Sequence, residues 1–206
     1  MTRLRAAVLI SGSGSTLANL IEYQRRGELP IDFAVVISSN PKAGGLRYAL
    51  QASIATEVVA RKTFADQVAH SEQIFGLCRA HEVQLVVMGG YLDHLGIPDY
   101  FANRVINIHP ALIPAFSGQG YYGLRVHTAA IEYGVKLSGC TVHFVDNQYD
   151  HGPIIAQRSC PVLDGDTPQD LQHRVGELER QLYPQVIADI AAGRVTVTDR
   201  RVLVGS

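Results

Sequence analysis

Three features of the sequence predict an α/β fold on a mostly parallel sheet, with helices on both faces and an antiparallel edge. Short apolar runs alternate with stretches of helical periodicity through the first half, as in βαβ units. The first apolar run ends in a glycine-rich loop that leads straight into a helical segment. Later apolar runs stand closer together, as antiparallel neighbours do. The chain reads as a single domain over residues 1–206, with a short tail from about 194.

Arg5–Ile10 is the first buried strand, and it feeds the loop Ser11-Gly12-Ser13-Gly14-Ser15. Thr16–Arg26 sets Leu17, Leu20 and Ile21 at helical spacing and stops at Gly27. Phe33–Ile37 is the second strand, Gly45–Gln51 a short helix and Glu57–Ala60 a short third strand. Phe64–His81 carries Val68, Ile74, Phe75, Leu77 and Cys78 and reads as a helix. Leu85–Met88 is an unbroken apolar run, hence a buried parallel strand, and Arg104–Ile108 is another strand. Val126–Tyr133 is a helix closed by Gly134, and Ser138–Val145 and Pro153–Ser159 are the close-set strands. Thr167–Ala191 is a long helix, opened by Asp166-Thr167-Pro168 and left at Gly193. Val195–Val204 makes a small terminal hairpin. Ligands of open α/β sheets bind at the carboxyl ends of the strands, so the loops after Ile10, Met88 and Ile108 are expected at the site.

Composition excludes several classes. Hydrophobic residues make up 47% and charged residues 18%, which suits a packed core rather than a disordered chain. A net charge of −1 leaves no basic surplus for a phosphate backbone, so no nucleic-acid partner is expected. No run approaches membrane-spanning length, and Ala6–Ile10 is too short for a signal-peptide core, so no membrane partner and a cytoplasmic location are expected. The 3 cysteines are widely spaced and suggest neither a disulfide framework nor a metal site.

Gly14, Ser15 and Thr16 stand where a strand gives way to a helix. Free N–H groups and the helix dipole favour an anion there, and the two hydroxyls add donors. A dinucleotide fingerprint lacks its third glycine, because Leu17 stands there, and its acidic residue, because Ser38-Ser39-Asn40 stands there. The ATP-loop Gly-Lys pair is also missing, so a single phosphate on a small ligand fits better than a nucleotide pyrophosphate. The plain alternative is a tight turn with a Ser/Thr helix cap.

Asn107 and His109 fall two residues apart at the end of a strand, and alternation puts them on one face. An amide donor and a ring that titrates near neutrality can address one developing negative oxygen. Asp146 and Asp150 lie in the polar loop between the close-set strands, and an aspartate near His109 would orient it and favour its charged form. His143 either lines the site or is a core histidine satisfied by backbone. A metal site from His109, His143, Asp150 and His151 has no supporting ligand spacing, and no metal is expected. His70, His81 and His173 are expected on solvated helix faces.

Taken together, Val8–Ser15, Asn107-Ile108-His109-Pro110-Ala111-Leu112-Ile113-Pro114, Gly139–Asp146 and Asp150-His151-Gly152-Pro153 resemble the phosphoribosylglycinamide formyltransferase family of purine synthesis. The likeness runs in order to Leu182-Tyr183-Pro184 and implies a Rossmann-like formyltransferase fold. It also implies direct transfer of formyl from 10-formyltetrahydrofolate, a cosubstrate, to the amine of glycinamide ribonucleotide through a tetrahedral intermediate. Asn107 would bind the oxyanion, His109 would be the general acid, and Asp150 would support its charge. Gly14, Ser15 and Thr16 would hold the ribose phosphate, Gln67 would sit near substrate, and Glu179 would meet the ribose hydroxyls. Leu92, Asp93, His94 and Leu95, with Asp146, Asn147, Gln148 and Tyr149, would line the folate pocket, largely through backbone. The implied state is a monomer or homodimer.

Set against the family's common pattern, Thr16 replaces asparagine, Gln67 and Asp93 replace arginines, and Gly176 replaces glutamine. Arg61 and Lys62 are the cations near Gln67. The loop Ser117–Arg125 is longer by a few residues and is expected to close over substrate or to pack its tyrosines on the body. Two rivals share the catalytic motif: 10-formyltetrahydrofolate hydrolase, expected with an extra N-terminal domain, and methionyl-tRNA formyltransferase, expected with a C-terminal tRNA domain. A non-catalytic phosphate-binding module would not need Asn107, His109 and Asp150 together.

Overall fold

The computed structural model describes residues 3–205. Its strands are β1 (Leu4–Ile10), β2 (Ile31–Ser38), β3 (Thr56–Val58), β4 (Leu85–Met88), β5 (Val105–His109), β6 (Leu137–Phe144), β7 (Ile154–Pro161), β8 (Val195–Thr198) and β9 (Arg201–Val204). Its helices are α1 (Ser15–Arg25), α2 (Leu46–Gln51), α3 (Gln67–Ala80), α4 (Leu124–Tyr133) and α5 (Pro168–Ala191). In strand order the sheet reads β3-β2-β1-β4-β5-β6-β7, and β8 and β9 form a separate hairpin. Strands β1 to β5 pair in parallel, and β6 pairs with β7 antiparallel, as the sequence predicts. Two compact units divide the chain, one ending at Asn107 and the other starting at Ile108, so the division falls inside β5.

In the first unit β1 lies between β2 and β4, and Ala6 through Ile10 are fully buried. Covered on both faces, such a strand shows no polar alternation. The glycine loop after β1 is knitted to its neighbours by backbone bonds from Ser11 to Gly90, Ser39 to Ile10 and Gly45 to Gly12. Gly14 has φ 77°, and a Cβ there would stand 2.2 Å from the Cα of Gly45. Only glycine fits so close a backbone contact. Helix α3 starts later than the periodicity suggests. Arg61–Thr63 forms a 3-10 turn, Phe64 is extended, and Asp66 caps the helix by accepting from the Ala69 N–H at 2.8 Å.

His70 corrects an expectation. It is fully buried in α3, with Nε2 at 3.2 Å from the Val59 carbonyl and 3.3 Å from the Tyr91 hydroxyl. Polar neighbours in sequence disguise it, but at 0% exposure it belongs to the core.

In the second unit the β6–β7 pair is joined by the loop that ends at Gly152, where a Cβ would meet the Phe144 carbonyl oxygen at 1.9 Å. Helix α5 packs on both strands. It opens with a capping box in which Thr167 and Asp170 satisfy each other's backbone N–H, worth about 1 kcal/mol. Pro184 sits inside α5, buried, where it removes one helical hydrogen bond. The β8–β9 hairpin turns over Asp199 and Arg200, with Asp199 at φ 54°, and β9 lies against β7.

Cys78, Cys140 and Cys160 are free and buried. Burial pushes the thiols of Cys78 and Cys140 up to about 12, and raises that of Cys160 as well. Among the described residues no helix is long and apolar enough to cross a membrane.

Candidate active site

The second unit gathers a compact cluster around His109, the last residue of β5. The ring is buried, and Nε2 lies 2.8 Å from the carbonyl oxygen of Phe116. A carbonyl only accepts, so Nε2 carries a proton and donates it. The other nitrogen, Nδ1, faces Oδ2 of Asp150 at 3.5 Å. Oxygen atoms thus face both ring nitrogens. Phe116 holds φ 49°, a conformation that a bulky residue rarely adopts, and this twist belongs to the segment that turns its carbonyl to His109.

Asp150 is fixed from three sides. Its Oδ2 accepts the Gly118 N–H at 2.8 Å and faces His109, and its Oδ1 lies 3.7 Å from Nε2 of His143. His143 is itself buried on β6, and its Nδ1–H donates to the Phe144 carbonyl at 2.8 Å. Burial holds its pKa below the usual histidine range, against the opposing pull of that backbone bond and of Asp150. His143 is satisfied by a backbone carbonyl and borders Asp150.

His127, in the first turn of α4, was not legible as part of this region. It is buried, and its Nδ1 has no hydrogen-bond partner among the described residues. Burial, helped by the nearby charge of His109, pushes its pKa down to about 4. Its burial beside Val126 and Ala130 on α4 is the one signal that marks it. The Phe116 carbonyl and Gly118 N–H are likewise not legible in the sequence, because backbone groups leave no mark in residue types.

Loop 117–125 shows its own order. The Tyr121 ring meets Phe116 edge-on, and the Arg125 guanidinium stands over Tyr122. In the loop between β6 and β7, Asp146 accepts from the Gln148 N–H at 2.9 Å and from the His151 ring at 2.8 Å, while Asn147, Gln148 and Tyr149 are exposed. Glu179 lies half-buried on α5. Burial pushes its pKa up to about 7, with Arg180 pulling the other way.

The first unit holds the glycine loop and the segment after β4. Gly14 caps α1 in the left-handed conformation and, as a glycine, brings no side-chain cap to the first-turn N–H groups of α1. The loop's Ser11 hydroxyl bonds Ser39 and accepts the Leu92 N–H at 3.0 Å, so that amide is already committed. Leu95 is a core residue, Leu92 and Asp93 lie nearer the surface, and His94 hydrogen-bonds Gln67 at the start of α3. Arg61 spends its guanidinium on the Phe64 carbonyl at 3.1 Å. Asn107 is half-buried on β5, two residues before His109. Among the described residues no group of three or more His, Cys, Asp or Glu side chains has the geometry to hold a metal.

Residues 4–187 match the formyl transferase family. The chain belongs to that family. It is 36% identical over 198 residues to the phosphoribosylglycinamide formyltransferase of Haemophilus influenzae, covering 95% of this chain and 91% of that one. It is also 36% identical over 195 residues to the chloroplastic phosphoribosylglycinamide formyltransferase of Vigna unguiculata. That match takes in 94% of this chain, which spans only 62% of the plant protein's length. Among solved structures, glycinamide ribonucleotide transformylase 1 of Symbiobacterium toebii superimposes with a TM-score of 0.93 at 39% identity, covering 99% of this chain and 95% of that one. The formyl transferase fold accounts for the mostly parallel sheet with its antiparallel β6–β7 edge.

Proposed function

We propose that the chain is an enzyme that transfers the formyl group of 10-formyltetrahydrofolate to the amine of glycinamide ribonucleotide. The observation that carries this reading is the contact of His109, on the strand that also bears Asn107, with Asp150 of the β6–β7 loop, 3.5 Å away. The substrate amine attacks the formyl carbon, and a tetrahedral intermediate forms with its charge on oxygen. The Asn107 amide and the His109 ring donate to that oxyanion. On collapse the bond to N10 of the folate breaks, N10 gains a proton and the amine loses one. The role falls to Nδ1–H of His109, because Nε2–H is committed to Phe116 while Asp150 stands beyond a normal hydrogen-bond length from Nδ1. Asp150 supports the charged ring.

In this reading the first turn of α1, with the hydroxyls of Ser15 and Thr16, holds the ribose phosphate. Glu179 accepts from the ribose hydroxyls, and Gln67 stands near the substrate. Folate lies along residues 92–95 and 146–149. Gly14 serves the phosphate loop indirectly, by allowing the close contact with Gly45. The reaction uses no metal and no covalent enzyme intermediate. The chain works as one formyltransferase domain, with a tail from about 194, in the cytoplasm, as a monomer or homodimer without nucleic-acid or membrane partners.

The test is to incubate the purified protein with both substrates and follow formylglycinamide ribonucleotide by mass spectrometry. Product that depends on both substrates supports the reading. Formate released without the ribonucleotide would assign a hydrolase instead, and no turnover of the folate would remove the catalytic assignment.

A further inference from the structure

The polar loop that carries Asp150 is held at its far side by a residue from the other end of the second unit's sequence. Arg200 sits in the two-residue turn of the β8–β9 hairpin. Its Nη2–H donates to the carbonyl oxygen of His151 at 2.7 Å. Its Nη1 lies 3.1 Å from Nε2 of the same residue. That nitrogen also lies 3.4 Å from Nδ1, so the guanidinium end rests over the ring face rather than in its plane, while the His151 Nδ1–H donates to Oδ2 of Asp146 at 2.8 Å. One guanidinium thus grips both the backbone and the ring of His151, and through the ring reaches Asp146, where the same loop begins.

The hairpin that presents Arg200 is anchored. Arg194, just before β8, pairs with Asp189 of α5 at 2.5 Å, and the Gly205 N–H returns to the Arg194 carbonyl. Inside the loop Asp150 holds φ 49°, an unfavourable conformation for a residue with a side chain, and its neighbour His151 is the gripped one. A backbone held in a sparsely populated region persists only where its surroundings fix it. His151 is exposed and Asp146 half-buried, so the loop's outer side lacks the burial that fixes its inner side.

We infer that Arg200 is a positioning residue, which clamps His151 and so holds the Asp146–His151 loop in the shape that aims Asp150 at His109. The kinetic side of this inference rests on the proposed formyl transfer, whereas the clamp itself does not.

The experiment compares wild type with Arg200→Ala, Arg200→Lys, His151→Ala and the Arg200→Ala/His151→Ala double variant. Backbone hydrogen exchange over residues 146–151 is the readout that needs no turnover. Arg200→Ala is expected to speed that exchange about two- to five-fold, the scale of an exposed charged pair, with little change in thermal midpoint. Lysine keeps one donor and loses the fork, so Arg200→Lys should fall between the two. The double variant should match the single ones rather than add to them. In steady state, kcat should fall and the KM for 10-formyltetrahydrofolate rise by a similar factor, while the KM for glycinamide ribonucleotide stays put. General loosening of the fold would lower the thermal midpoint and leave both KM values alone. Unchanged exchange in Arg200→Ala, or additive losses in the double variant, would overturn the clamp. Faster exchange in a protein without formyl transfer would uphold the clamp and reject only the functional reading.

Discussion

Gly118 donates its backbone N–H to Oδ2 of Asp150 at 2.8 Å, and that same oxygen faces Nδ1 of His109. The loop after Pro114 therefore supports the carboxylate with main chain, and Gly118 does so at φ 94°, which side chains avoid. Gly118→Ala should lower kcat by roughly ten-fold through about 1–2 kcal/mol of local strain. Open space around Gly118 means the rest of the fold should melt as before. Parallel kinetics and calorimetry check this; an unchanged kcat would show that the N–H bond is dispensable.

Truncating the oxyanion donors should be severe. His109→Ala and Asn107→Ala are each expected to cost about 10²–10³ in kcat, the usual loss for one such donor. Asp150→Asn keeps the shape and the Gly118 bond but removes the charge, and a loss of about 10² or more is expected. Single-turnover formyl transfer measures the chemical step directly. Near-normal rates in His109→Ala would discard the mechanism.

Glu179 carries a pH signature. Its folded pKa of about 7 lies above the ordinary 4.5, so the folded state binds the proton more tightly. Stability contributed by the protonated form is therefore present below the ordinary value and lost as pH rises through about 7. Glu179→Gln should flatten that decline and gain about 1 kcal/mol near pH 8, after allowance for partial solvation. Glycinamide ribonucleotide should bind wild type more tightly as the carboxylate forms, because hydroxyl donors favour the charged state. Thermal midpoints and calorimetric affinities across pH test both; a pH-independent affinity would remove Glu179 from the ribose.

His127 predicts the opposite slope. Its folded value near 4 is below the ordinary 6.5, so the unfolded chain takes up the proton first. Stability is then lost as pH falls from 6.5 toward 4, by about 2–3 kcal/mol at the acid end. His127→Leu should remove much of that acid sensitivity. Denaturant melts at several pH values settle it, and an unaltered acid slope would assign the loss to other groups.

What the residues reveal on their own follows the physics of each element. Val86 and Val87, and Ala6 through Ile10, announce buried parallel strands because no polar alternation interrupts them. The cap at Thr167 is legible because capping is local. The start of α3 is not, since Phe64 continues the apolar pattern while its backbone is extended. His70 and His127 escape notice for a related reason, since burial depends on partners remote in sequence. The meeting of His109 with Asp150 is likewise non-local, and neither spacing nor composition signals it. It came from the likeness of whole motifs, and the supporting Phe116 carbonyl and Gly118 N–H came only with the structure.

The three buried cysteines have a practical consequence. Thiolate is the species that alkylating and oxidising reagents attack, and these thiols are both shielded and slow to ionise. The folded protein should therefore be indifferent to maleimides and mild peroxide, and stable in storage without a reducing agent. A cysteine introduced on an exposed position, such as Gln119 in the long loop, would then be the single fast-reacting thiol. Probes of loop motion during turnover can be attached there without removing any natural cysteine.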